Sequence, residues 1–274
     1  FMAEQGNPHR LVVFDGPHTW MPPAVAREAV EWMELIAMQR GIRERDQELI
    51  DTLYSADLER AQSAAANGHV LVAARRFREM VRTYSGLHDS SEAKVAADRI
   101  EAGEEYRLQL KQAKRARGFE DKCLKRRNTE LTLLRNSDVP PPRGQLAGKL
   151  HIGDLLRIAE KPGEEGLAAE RCLNSLYSAL SFYLPKDELP KQRYVQVATS
   201  YELSLMIHDD NAVVWYNLAC VRALLGRKTD AVAALASALE NGFNRYDLLE
   251  TDTDLDSLRQ RDDFKSLMAS LPAP

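Results

Sequence analysis

"AVVWYNLACVRALLGRKTDAVAALASALENGF", residues 212–243, reads as two helices joined at a single glycine. Trp215, Leu218 and Ala219 fall on one face of the first helix, at the spacing an α-helix requires. Gly226 makes the turn, and Ala231, Leu235 and Ala238 face back from the second helix. The small side chains of Ala219, Ala231 and Ala238 let two helices approach closely, while Trp215 and Leu235 fill the space that remains. An antiparallel helix pair is the expected structure.

That spacing resembles the tetratricopeptide repeat, a helix–turn–helix unit of about 34 residues. Two positions depart from its pattern: Arg222 stands where an aromatic is usual, and Phe243 stands near the usual closing proline. One unit upstream, Val197, Tyr201 and Ser204 precede Ala231, Leu235 and Ala238 by 34 residues each. Their partner helix carries Leu176, Leu180 and Leu184, with an extended turn expected from Pro185 to Pro190. A further pair is expected over Asp57 to Ser85, on Ala61, Ala64 and Gly68 followed by Ala73, Phe77 and Met80. A generic helical bundle is the alternative, and for residues 89–136 both readings stand. The expected fold is all-α: a solenoid of such antiparallel pairs, with a short strand and histidine loop at the N-terminal end.

Working outward, four regions follow. Residues 1–40 hold the strand, the histidine loop and a helix that starts at Pro22-Pro23, where proline is tolerated. Residues 41–136 hold helices at about 45–66 and 70–84, then a long charged helical pattern broken only at Gly103 and Gly118, with Ser90 and Ser91 as caps. "SDVPPPRGQLAG", residues 137–148, reads as a linker, because consecutive prolines force extended backbone. Residues 149–274 form the repeat region, with helices expected at about 149–160, 164–184, 190–208, 211–225, 228–241 and 254–270.

In the tail, Asp252-x-Asp254-x-Asp256 invites a calcium reading. An EF-hand loop needs glycine at its sixth position and glutamate at its twelfth, where this chain has Ser257 and Asp263. Asp252 or Asp254 is better read as the cap of a final helix whose Leu255, Leu258, Phe264 and Leu267 cover the open end of the stack. The tail also resembles the ending of many bacterial tetratricopeptide proteins. Cys123, Cys172 and Cys220 are too widely spaced for a disulfide framework or zinc, and read as packing residues. No histidine pair has ligand spacing, and His151 and His208 read as surface or capping residues. No metal and no cofactor are expected.

The 274 residues are 44% hydrophobic and 28% charged, with a net charge of −4. No apolar run approaches the roughly 18 residues of a membrane span. The basic run Lys111, Lys114, Arg115, Arg117, Lys122, Lys125, Arg126 and Arg127 reads as a solvated helix face, so no nucleic acid is expected. No signal-peptide pattern occurs; the cytoplasm is favoured and secretion stays open.

"LVVFDGPHTWMPPAVAREAVEWMELIAM", residues 11–38, has the order strand, histidine loop, helix. It resembles the end of an α/β-hydrolase of the dienelactone-hydrolase-like or polyester-depolymerase-like type. The resemblance covers about residues 9–40 and implies that His18 is the triad base. No G-x-S-x-G occurs in this sequence, so the resemblance implies a chain that is the C-terminal part of a larger protein, without esterase activity alone. A plain loop histidine is the other reading of His18.

Two functions therefore compete. One is a helical scaffold whose groove takes a protein, a peptide or the chain's own N-terminal domain. Helical phase names Asn217, Val221 and Arg222 as groove residues, the amide for a peptide backbone and the guanidinium for a carboxylate; an ordinary polar face is the alternative. The other is the end of a serine hydrolase with His18 in its triad. A third role, bracing a dimer through the edge of the lone strand, stays open, as does the oligomeric state.

Overall fold

The computed structural model describes residues 9–10 and 20–271. The expected strand and the loop with His18 lie outside the described residues. Every regular element among the described residues is helical, as the periodicity requires. These residues fall into two compact units, one ending at Gln112 and one beginning at Ala113.

The first unit holds α1 (Pro23–Gln39), α2 (Gln47–Ala66), α3 (Val70–Thr83), α4 (Ser91–Ala102) and the opening turns of α5 (Glu104–Asn136). Pro23 sits in the first turn of α1, where its missing N–H costs no hydrogen bond. The Asp46 carboxylate caps α2 by accepting the Leu49 N–H at 3.0 Å. Ser90 makes no such bond at the start of α4. Asp89 accepts the Ser91 N–H at 3.0 Å and the Ser91 hydroxyl at 2.6 Å instead, a charged acceptor where the helix dipole favours one. Gly103 is extended and separates α4 from α5, whereas α5 runs uninterrupted through Gly118. Leu35, Ile50, Leu53, Phe77, Met80 and Tyr84 make the core, and the Tyr84 hydroxyl donates to Asp57 at 3.0 Å.

The second unit continues α5 and adds α6 (Arg143–Leu150), α7 (Ile152–Ala159), α8 (Glu164–Ser178), α9 (Leu184–Glu188) and α10 (Tyr194–Ser204). It ends with α11 (Ala212–Leu224), α12 (Lys228–Glu240), α13 (Tyr246–Thr251), a 3-10 turn over Thr253–Leu258, and α14 (Asp262–Ala269). α6 begins inside the proline-rich stretch, directly after Pro142. His151 in left-handed backbone separates it from α7.

The extended turn expected at Pro185 to Pro190 is overturned. α8 passes through a π-helical turn, Ala179–Tyr183, into α9, and Leu189–Lys191 form a 3-10 turn. Proline inside a helix removes a donor and crowds the carbonyl four residues back, here that of Ser181. The wider π turn immediately before Pro185 relieves that conflict, with the Leu184 N–H bonding the Ala179 carbonyl. The buried Ser200 hydroxyl takes the Leu180 carbonyl at 2.6 Å. Pro190 lies in the first turn of the 3-10 segment, where its missing N–H is tolerated.

A 34-residue recurrence runs through this unit. Helices start at Tyr194, Lys228 and Asp262, and again at Ala212 and Tyr246. Gly226 is left-handed (φ 73°), its N–H bonds the Ala223 carbonyl at 2.9 Å, and the Arg227 N–H bonds Arg222 at 2.8 Å. Gln192 is also left-handed (φ 57°), with the same two bonds to Leu189 and Glu188 at 2.9 and 3.2 Å. Leu218, Ala219, Ala231, Leu235 and Ala238 are all wholly buried, as are Val197 and Ser204, with Tyr201 nearly so. The turn between α2 and α3 has this geometry too: Gly68 (φ 77°) bonds Ala65, and His69 bonds Ala64. Ala61, Ala73, Phe77 and Met80 beside it are buried, while Ala64 is half-buried and Gly68 exposed. Leu255, Leu258 and Phe264 of the tail complete the α11–α12 core, with Leu267 packed at its edge.

Candidate functional site

The residues named from helical phase do not form an open groove. Val221 is corrected to a core residue, only 2% exposed among the α10, α11 and α12 side chains. α11 packs against α10, α12 and the 3-10 turn, and a helix covered on three sides has no free apolar stripe. Arg222 turns to its own neighbours: Nη2 pairs with Glu202 at 2.9 Å and Nη1 donates to the Asp230 carbonyl at 3.2 Å. Asn217 is half-buried. Trp215 is half-buried as well, and its indole N–H anchors the preceding loop through the Asp209 carbonyl at 2.7 Å.

A polar concavity lies elsewhere, in a cleft of about 610 Å³ between α5 and the α8 end. Arg127, Leu131 and Arg135 reach it from α5, because residues four apart share a helix face. Ser175 and Ser178 face them from α8, and Tyr183 comes from the π turn. No acidic side chain lines the cleft. Arg127 is held by neutral acceptors: Nε and Nη2 donate to Asn128 Oδ1 at 3.2 and 3.0 Å, and Nη1 donates to the Ser175 hydroxyl. Among the described residues, no carboxylate lies within ion-pair distance of Arg127. Arg135 pairs with Asp187 at 2.9 Å through Nη2, while its Nε is buried with no hydrogen-bond partner. Carbonyls at the end of α5 are taken from α10: Arg193 bonds that of Arg135, and Gln196 that of Ser137 at 2.7 Å.

The cleft is therefore an electropositive, hydroxyl-lined depression. No family model, curated protein or solved structure matches this chain.

A second cluster surrounds Asp252. Its carboxylate accepts the Tyr216 hydroxyl at 2.5 Å and the Asp254 N–H at 3.0 Å, with the Cys220 sulfur at 3.8 Å. The expected capping role of Asp252 is thus met on the 3-10 turn, not on α14. Cys220, Asp252 and Asp254 bring three metal-type donor atoms within 4.8 Å of one another. Burial, then the nearby Asp252, pushes the Cys220 thiol up to about 12, which favours the protonated thiol over a metal-binding thiolate. Cys172 is buried on α8 and Cys123 half-buried on α5, both packing residues as expected.

Six residues of the basic run are exposed, but Arg126 and Arg127 are half-buried. Sequence reading merged Arg127 with that solvated face and missed the cleft. The available signal was the Arg127, Leu131, Arg135 line, which puts two guanidinium groups on the face that also carries a core leucine. No helix among the described residues is long and apolar enough to cross a membrane.

Proposed function

We propose that this chain is a helical-repeat binding module of tetratricopeptide type, which takes a segment of a partner protein. The 34-residue recurrence carries that reading: helix starts and left-handed turns return at the same interval, with small buried residues between the paired helices. Repeats of this kind bury a continuous core only by stacking, and their side chains outside that core form extended recognition surfaces. The α5–α8 cleft adjoins this recurrence, and Tyr183 on its lining comes from the π turn that leads into α9.

Peptide selection tests the proposal. Displayed peptides selected on the immobilised full chain are expected to bind with dissociation constants below about 100 μM, the weak end of specific recognition. Hydrogen exchange with a selected peptide bound is expected to protect residues 127–135 and 175–183. Failure to select any binder, or protection confined to other helices, would overturn it.

A further inference from the structure

We propose that the α5–α8 cleft binds a phosphomonoester carried on a serine or threonine of the partner segment; this rests on the binding-module reading above. Arg127 is the first reason. Its guanidinium is fixed by Asn128 and Ser175, which orient it without cancelling its charge. Nη2 retains an N–H that no described residue takes, and a planar, held guanidinium suits phosphate oxygens better than a mobile ammonium does. Burying a charged donor among neutral acceptors makes sense where an anion completes it.

Arg135 supplies the second reason. Its side chain lines the cleft and is 38% exposed, and its Nη1 bonds no described residue, which leaves donors beyond the one that Asp187 takes. The third reason is the number of donors. Thr132 and Tyr183 line the same cleft, and neither hydroxyl is hydrogen-bonded to a described residue. A carboxylate presents two oxygens, whereas a phosphomonoester presents three and nearly two negative charges. The unpaired guanidinium of Arg127, the remaining donors of Arg135 beside its Asp187 pair and two free hydroxyls match the larger anion. The cleft volume of about 610 Å³ exceeds what a bare phosphate fills, leaving room for the flanking residues of a chain. The π turn that accommodates Pro185 also brings Tyr183 to the cleft.

The test uses the full chain and three fluorescent degenerate peptide pools that differ only at the central residue: phosphoserine, serine or glutamate. The phosphoserine pool is expected to bind at least about tenfold more tightly than the serine pool, the margin of a charge-assisted contact. Inorganic phosphate should compete at millimolar concentration. Arg127→Ala should abolish the preference, and Arg127→Lys should keep only part of it, because the ammonium lacks the planar fork. Tyr183→Phe, a change at an exposed side chain, should weaken phosphoserine binding without altering the circular dichroism. Equal binding of the phosphoserine and serine pools would overturn the inference and leave the module reading standing. Equal binding of the phosphoserine and glutamate pools would overturn it in favour of a carboxylate. Competition by inorganic phosphate without any peptide preference would overturn the partner segment as the source of the anion. Binding of no pool, together with failed peptide selection, would overturn the module reading itself.

Discussion

Gln192 and Gly226 stand 34 residues apart and hold the same left-handed turn, with the same pair of backbone hydrogen bonds closing it. A left-handed position admits glycine freely and strains any residue with a Cβ. The turn at Gln192 is therefore held by what surrounds it: the α9 end before it and α10 after it.

Exchange of the two residue types measures that strain. Gln192→Gly is expected to stabilise the chain by roughly 0.5–1 kcal/mol, the relief being offset in part by a more flexible unfolded state. Gly226→Ala is expected to cost about 1–2 kcal/mol from backbone strain alone, since a Cβ there meets nothing within 4 Å. Urea denaturation of both variants gives the comparison. Destabilisation by Gln192→Gly would mean that the turn is not strained.

Leu235 tests the core of the helix pair. It is wholly buried between α11 and α12, so Leu235→Ala should cost about 2–5 kcal/mol by lost burial and a residual cavity. Leu224, at the end of α11, is exposed, and Leu224→Ala should stay within about 1 kcal/mol. Similar losses at the two sites would contradict the burial of Leu235 between α11 and α12.

Arg222 and Glu202 form a half-buried ion pair at 2.9 Å between α11 and α10. Removing one partner leaves the other charge poorly solvated, so Arg222→Ala should cost roughly 1–3 kcal/mol. In the double variant with Glu202→Ala, part of that loss should return, which a double-mutant cycle measures. Unchanged stability together with lost peptide binding would instead restore Arg222 as a ligand contact.

Stability should fall in alkali through the buried thiols. Burial raises the Cys220 thiol from its ordinary 9.0 to about 12, so the folded protein keeps a proton that the unfolded chain releases between those values. Fewer protons on the unfolded state means that stability is lost as pH rises, by about 1.4 kcal/mol per pH unit for each such thiol. Cys220→Ala should flatten the slope of the urea midpoint between pH 9 and pH 11. Identical slopes would show that Cys220 does not hold its proton. Cys172, also pushed up to about 12 by burial and by the neighbouring Cys123, should contribute in the same direction.

His18 gives a test on the sequence alone. With no G-x-S-x-G to serve, the chain is expected to hydrolyse p-nitrophenyl acetate no faster than its His18→Ala variant. A rate difference attributable to His18 would revive the hydrolase reading for this chain.

Local rules were enough for the α11–α12 pair. Ala219, Ala231 and Ala238 announce close approach and Gly226 announces the turn, because each effect acts within a few residues. The 34-residue spacing of Val197, Tyr201 and Ser204 was likewise legible, although Gln192 hid the turn between those units by standing where glycine is usual. The helix through Pro185 was not legible. Proline reads as a breaker until the π turn before it, and Ser200 bonding Leu180 from another helix, are known.

The cleft was decided by the tertiary structure. Arg127 and Ser175 lie 48 residues apart, and nothing near either one in the chain says that they meet. Helical phase alone cannot tell which sides of α11 are covered, so Val221 and Arg222 looked like open surface when α10 lies against them. Periodicity determines that a residue is on a face, because side-chain direction is a property of one helix. Which face is buried, and which charge goes unpaired, depends on the neighbouring helices and on the carboxylates they bring within reach.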